Sequence, residues 1–130
     1  MKTSIAAGTS IFIIEDDELF RETFIDAMSL QGVKVDGARS GAEAIRLLHK
    51  QQPSVIIIDV QLPDIHGFEL CRLLRRSDRL KSVPIVFLSA VAHYNDPRDR
   101  AEGLLSGAAL FLPKPISMEK LWAELGQLLS

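Results

Sequence analysis

Strand and helix signals alternate along this 130-residue chain and predict an α/β fold, a doubly wound parallel sheet with helices on both faces. Three observations carry that expectation. Short runs rich in isoleucine, valine and leucine recur, separated by stretches with helical spacing. The runs are apolar throughout, as strands covered on both faces are. Four of them lead into polar residues: Glu15-Asp16-Asp17, Asp59, Ser89 and Lys114. A parallel sheet gathers such endings along one edge, where open α/β sheets place their ligand sites.

Each element follows from its residues. Ser10–Ile14 is short and isoleucine-rich, a first strand. Leu19, Phe20, Thr23, Phe24, Ala27 and Met28 recur at helical spacing, so a helix covers Glu18–Leu30, and Gly32 ends it. Val33–Asp36 is a short second strand. Ser40-Gly41-Ala42-Glu43 has the capping-box pattern and opens a second helix that runs to about Lys50. Pro53 breaks the chain before the third strand, Val55–Ile58. A loop over residues 62–67 follows, in which Gly67 is expected to supply a positive φ. The third helix covers Phe68–Arg76. Pro84 precedes the fourth strand, Ile85–Leu88. Residues 91–96 read as a loop, and Asn95-Asp96-Pro97 as the start of a fourth helix with proline in its first turn, capped by Gly107. Ala109–Leu112 is the fifth strand. Ser117 caps a fifth helix striped by Leu121, Leu125, Leu128 and Leu129.

Composition bounds the function. Hydrophobic residues make up 47% and charged residues 25%, the balance of an ordinary globular domain. A net charge of −2 argues against a dedicated nucleic-acid-binding domain in these residues. The single cysteine, Cys71, excludes an intrachain disulfide and fits a reducing compartment; its leucine neighbours make it a core thiol. No apolar stretch is long enough to span a bilayer, and residues 1–9 read as a loose N-terminal tail, not a signal peptide. A cytoplasmic location is expected. Trp122 packs in the core or sits on a dimer face, and the core is the default expectation.

The strand ends suggest chemistry. Asp59, exposed in a crevice, can act as a nucleophile and form an acyl phosphate; the alternative is an aspartate that caps the next turn. Glu15 and Asp16 at a neighbouring strand end would repel it unless a cation intervened. Oxygen ligands without histidine or cysteine suit magnesium. An acidic triplet is also favoured at a helix start by the helix dipole alone. Lys114 offers a compact positive charge to a phosphoryl oxygen or a carboxylate, and Ser89 a hydroxyl that otherwise bonds local backbone. The Lys114–Pro115 bond is a candidate for the cis form in a tight turn.

These residues, in this order, resemble the receiver domain of two-component response regulators. The matching segments are Ile13-Ile14-Glu15-Asp16-Asp17, Ile57-Ile58-Asp59 with Leu62-Pro63-Asp64 and Gly67, Phe87-Leu88-Ser89-Ala90, and Phe111-Leu112-Pro113-Lys114-Pro115. The resemblance covers residues 10–130 as one domain. It implies a flavodoxin-like sheet of five strands in the order 2-1-3-4-5. It implies Asp59 as phosphoacceptor, served by a sensor histidine kinase or a phosphotransfer protein. Magnesium would be held by Asp16 and Asp59, by the Gln61 backbone carbonyl, and by Glu15 through water. Lys114 would contact the phosphoryl group, and Ser89 and Phe111 would be the switch residues. The output surface would be the fourth helix, fifth strand and fifth helix, facing an output domain beyond Ser130, a separate partner or a second copy. The family does its own phosphotransfer and autodephosphorylation and is otherwise not enzymatic. The connection over residues 91–96 looks longer than the family norm by about three residues, in a region where extra length often carries function. His93 and Tyr94 there are either partner contacts or exposed loop residues.

Two other classes remain in view. Aspartyl-phosphate hydrolases carry a second aspartate two residues after the nucleophile, where this chain has Gln61. A flavodoxin-like binding module that is never phosphorylated is the other, although no glycine-rich phosphate loop supports it.

Overall fold

The structure, a computed structural model, describes residues 5–130. Its strands are β1 (Ser10–Ile14), β2 (Lys34–Ala38), β3 (Val55–Asp59), β4 (Ile85–Ala90) and β5 (Leu110–Lys114). Its helices are α1 (Glu18–Ser29), α2 (Gly41–Leu48), α3 (Gly67–Leu74), α4 (Val91–Tyr94), α5 (Pro97–Leu105) and α6 (Met118–Leu129). The strands form one parallel sheet in the order β2-β1-β3-β4-β5. The predicted order and the helices on both faces are found.

The strands are apolar on both sides because both sides are covered. Phe12, Ile14, Ile56, Ile58, Ile85, Phe87 and Phe111 face one core with Ala44, Leu48, Phe68 and Leu70. Ile11, Ile13, Val55, Ile57, Val86, Leu88 and Leu112 face the other with Phe24, Met28, Leu121, Trp122 and Leu125. The period of two persists within the runs, but it sorts one core from the other instead of core from solvent. Cys71 and Trp122 are buried, as expected.

Helix ends follow local chemistry. Asp17, Ser40, Asp96 and Ser117 accept from the backbone N–H groups of Phe20, Glu43, Arg98 and Lys120. Gly32 and Gly107 lie beyond the ends of α1 and α5 with φ of 88° and 114°.

Four expectations need correction. Residues 91–94 form a helical turn, α4, rather than loop; the fourth and fifth predicted helices are therefore α5 and α6. Gly67 does not have a positive φ. Glycine is needed there because a Cβ would lie 2.8 Å from Val60 Cα and 3.0 Å from the Asp59 carbonyl oxygen. Its N–H donates to the Val60 carbonyl at 2.8 Å, so α3 starts tight against the end of β3. Part of the predicted tail is also structural: Ile5 is buried in the α1–α6 core, and the Thr9 carbonyl accepts from Lys34. Residues 1–4 of that tail lie outside the described residues. Several element ends shift by one or two residues: β2 ends at Ala38, β4 reaches Ala90 and β5 reaches Lys114.

Because the atoms facing Gly67 are backbone, Gly67→Ala cannot be absorbed by a side-chain rotation. We expect it to destabilise the domain by about 1–3 kcal/mol, the usual cost of overpacking, read as a lower midpoint in urea melts.

Candidate functional site

The carboxyl edge of the sheet gathers the predicted residues. Asp59 is the last residue of β3, Glu15 and Asp16 follow β1, Ser89 lies near the end of β4, and Lys114 ends β5. Carboxylate oxygens of Glu15, Asp16 and Asp59 all lie within 4.8 Å of one another. Glu15 is 1% exposed and Asp59 8%, whereas Asp16 is exposed.

Lys114 crosses from β5 to β3 and β1. Between them lies the end of β4, which carries only the small residues Ser89 and Ala90. Its Nζ donates to Glu15 Oε1, lies 3.6 Å from Asp59 Oδ2 and sits 5.0 Å from the Phe20 ring centroid, a cation–π contact. A cleft of about 440 Å³ lined by Phe20, Ala90, Lys114 and Pro115 opens beside it. The Lys114–Pro115 bond is cis.

The remaining bonds fix the carboxylates. Glu15 Oε2 accepts from Asp17 N–H at 3.1 Å, and the Glu15 carbonyl accepts from Arg21 Nη1 at 2.7 Å. Asp59 Oδ1 accepts from Gln61 N–H at 3.2 Å. Asp17 is spent on capping α1, so the helix-start reading holds for it alone in the triplet.

Charge crowding shows in the titration. Burial, the hydrogen bond shared with Asp59 and the charge of Asp59 push the Glu15 carboxyl up to about 7, against the pull of Lys114. Burial pulls the Lys114 ammonium down, but the hydrogen bond and charge of Glu15, with the charge of Asp59, more than offset it and raise its pKa. The ion pair favours both charged forms; on Glu15 desolvation outweighs it. Three oxygen donors in a partly dry hollow, with no nitrogen or sulfur ligand in the cluster, fit a hard divalent cation.

The two predicted switch residues are both inward. Ser89 Oγ is buried and has no hydrogen-bond partner, alone in this among the described residues. Phe111 is buried among Phe68, Phe87 and Tyr94, with ring centroids 6.0 Å from each. Its edge covers Gly103 of α5, where a Cβ would lie 2.6 Å from Phe111 Cε2.

Other long-range contacts carried no local signal. Asp64 reaches across to cap α2, accepting from Gly41 N–H at 3.0 Å and Ala42 N–H at 2.9 Å, and its pKa is lowered by those bonds. Arg75 ties α3 to the Gly107, Leu80 and Val83 carbonyls. Gln61 Nε2 lies 2.8 Å from His93 Nε2, and His93 Nδ1 lies 3.2 Å from Asp99 Oδ2. Aspartates and arginines at such spacings occur in any surface loop; only the fold brings their partners within reach.

Residues 11–126 match the family model described as the response regulator receiver domain. The chain is 42% identical over 107 residues to the transcriptional regulatory protein AfsQ1 of Streptomyces coelicolor, covering 82% of this chain and 45% of that protein. It is 39% identical over 124 residues to the transcriptional regulatory protein GltR of Pseudomonas aeruginosa, covering 95% and 50%. It thus spans about half the length of the curated relatives it matches. Among solved structures, the chemotaxis response regulator CheY4 of Vibrio cholerae superposes with a TM-score of 0.86 at 29% identity, covering 93% of this chain and 98% of that one.

The raised Glu15 pKa makes stability depend on pH. In the folded chain the carboxyl holds its proton up to about 7, against 4.5 for its ordinary value, so this contribution is present at low pH and lost as pH rises through 7. With a chelator present, acidifying from about pH 8 to pH 5.5 should stabilise the chain, relative to Glu15→Gln, on the order of 1–3 kcal/mol. Magnesium should shrink that difference by favouring the ionised cluster. Thermal melts of both proteins across this range check it.

Proposed function

The chain belongs to the response regulator receiver domain family, whose members are phosphorylation-activated signalling switches, and from that premise we propose that Asp59 is the phosphoacceptor. The observation that carries this is the meeting of Asp59 with Glu15, Asp16 and Lys114 in one half-dry hollow.

In this reading the donor is a phosphohistidine on a sensor histidine kinase or a phosphotransfer protein. An Asp59 carboxylate oxygen bonds to the phosphorus, the phosphorus–nitrogen bond breaks, and its electron pair stays on the donor imidazole. Asp16, Asp59 and the Gln61 backbone carbonyl would hold a magnesium ion, with Glu15 contributing through water. When bound, that ion supplies positive charge that offsets the charge on the transferring oxygens. Lys114 supplies the rest from the β5 side, because its ammonium already stands 3.6 Å from Asp59 Oδ2. Ionised Glu15 keeps that ammonium charged and aimed.

Phosphorylation then places negative charge and new acceptor oxygens beside β4. Ser89 has an unpartnered hydroxyl to offer them. Its movement draws on α4 and α5, which pack against Phe111, so the α5–β5–α6 face is the one that changes. Phosphorylation biases a pre-existing equilibrium between two arrangements of that face. A downstream output domain, a separate partner or a second copy reads it. Apart from its own phosphotransfer and autodephosphorylation the domain catalyses nothing. It spans residues 10–130 and works in the cytoplasm, where the donor kinase presents its phosphohistidine. No helix among the described residues is long and apolar enough to cross a membrane.

Incubation with magnesium and acetyl phosphate should add the mass of one phosphoryl group to the chain, and Asp59→Asn should add none. Lys114→Ala should slow uptake by on the order of 10²-fold or more, as loss of one charge-stabilising donor does. Steady turnover of phosphomonoesters, or no mass change in the wild type, contradicts the reading; intact-mass spectrometry with time decides.

A further inference from the structure

The side chains of Gln61, His93 and Asp99 form a chain of hydrogen bonds next to Asp59 that phosphotransfer itself does not use. Gln61 is two residues beyond Asp59, and its backbone N–H already bonds Asp59 Oδ1. Its side-chain amide meets His93 Nε2 at 2.8 Å. The Asp99 carboxylate can only accept, so the proton between it and His93 belongs to Nδ1, at 3.2 Å. That leaves Nε2 as an acceptor for the Gln61 amide N–H, and one arrangement of the three groups is selected.

The bonds join two separate connections at the sheet edge. Gln61 lies after β3, and His93 lies on α4, which follows β4 directly. Helix α4 is itself anchored: Tyr94 packs on Phe111, and Arg100 stacks over the Tyr94 ring and donates to its carbonyl. Asp99 belongs to the first turn of α5. His93 therefore sits on a fixed base, even though its side chain is 47% exposed.

We propose that His93, oriented by Asp99, holds Gln61 over the β4 side of the Asp59 crevice as a clasp that keeps water from the acyl phosphate and so lengthens its life. His93 and Asp99 are positioning residues; neither touches the reacting atoms. The proposal rests on Asp59 being the phosphoacceptor. In the reaction that ends the signal, a water oxygen bonds to the phosphorus and the bond from phosphorus to the Asp59 oxygen breaks. The electron pair returns to the carboxylate, and the water proton leaves with the phosphate or to solvent. Attack comes roughly in line with the breaking bond, from the open side of the crevice. Gln61 leaves the end of β3 and His93 the end of β4, so the bond between them spans the two strand ends that flank Asp59. The six-residue connection that the sequence singled out thus gains a role: it places a histidine one helical turn beyond Ser89, within reach of Gln61.

The test follows loss of phosphoryl mass after removal of acetyl phosphate, in the full chain with magnesium. His93→Ala should speed the loss about three- to tenfold, the worth of one hydrogen bond in a rate. Asp99→Asn should speed it less, and the double variant should be no faster than His93→Ala, since both act through one clasp. His93→Gln, which restores an acceptor, should bring most of the lifetime back. Melting temperatures record that the variants are folded. An unchanged or slower loss in His93→Ala, or additive effects in the double variant, overturns the clasp while leaving the phosphoacceptor in place. A wild-type chain that takes up no phosphoryl mass overturns the phosphoacceptor reading and the clasp with it.

Discussion

Negative charge held in a dry place is the constraint on which the rest of this molecule turns. Glu15 and Asp59 are buried, Asp16 stands beside them, and Lys114 brings a single positive charge to the cluster. Charges in such a hollow are costly unless a proton, a cation or a hydrogen bond relieves them. The cluster therefore resists folding on its own account, and the surrounding sheet must hold it open. Two apolar cores do so, one on each face, built from alternate residues of the same strands. The register that pairs Ile14 with Ile58, and Asp59 with Leu88, fixes where the carboxylates stand.

The same packing offers a route outward. Phe87 and Phe111 are register partners on β4 and β5, and Phe68 and Tyr94 close the aromatic group around them. Ser89 is two residues from Phe87 on β4, and Gly103 of α5 gives Phe111 the room it occupies. A shift at the end of β4 is met at once by rings that support α4 and α5. Coupling carried by contiguous packing of this kind needs two discrete arrangements.

Much of this was legible in the residues. Strand number, sheet direction and the set Glu15, Asp16, Asp59, Ser89 and Lys114 follow from apolar runs ending on polar side chains, because parallel strands bring those ends together. The caps at Ser40, Asp96 and Ser117 are local and were equally plain. Gly67 was misread because a glycine in a loop signals either a special φ or a close approach, and sequence does not separate them. Helix α4 was missed because four residues are too few to show a period. The reach of Asp64 to α2, and the bond from Gln61 to His93, join residues 22–32 positions apart, and no local pattern encodes them.

The buried thiol of Cys71 has a further consequence. It is the one cysteine in the chain, its Sγ donates to the Ser106 carbonyl at 3.4 Å, and burial raises its pKa. Only a thiolate in contact with solvent reacts with alkylating reagents. Modification of the native protein must then wait until α3 and the end of α5 part. Without any engineered label, this sulfur is a clock for breathing at that seam, and its ticking rate measures the local opening free energy.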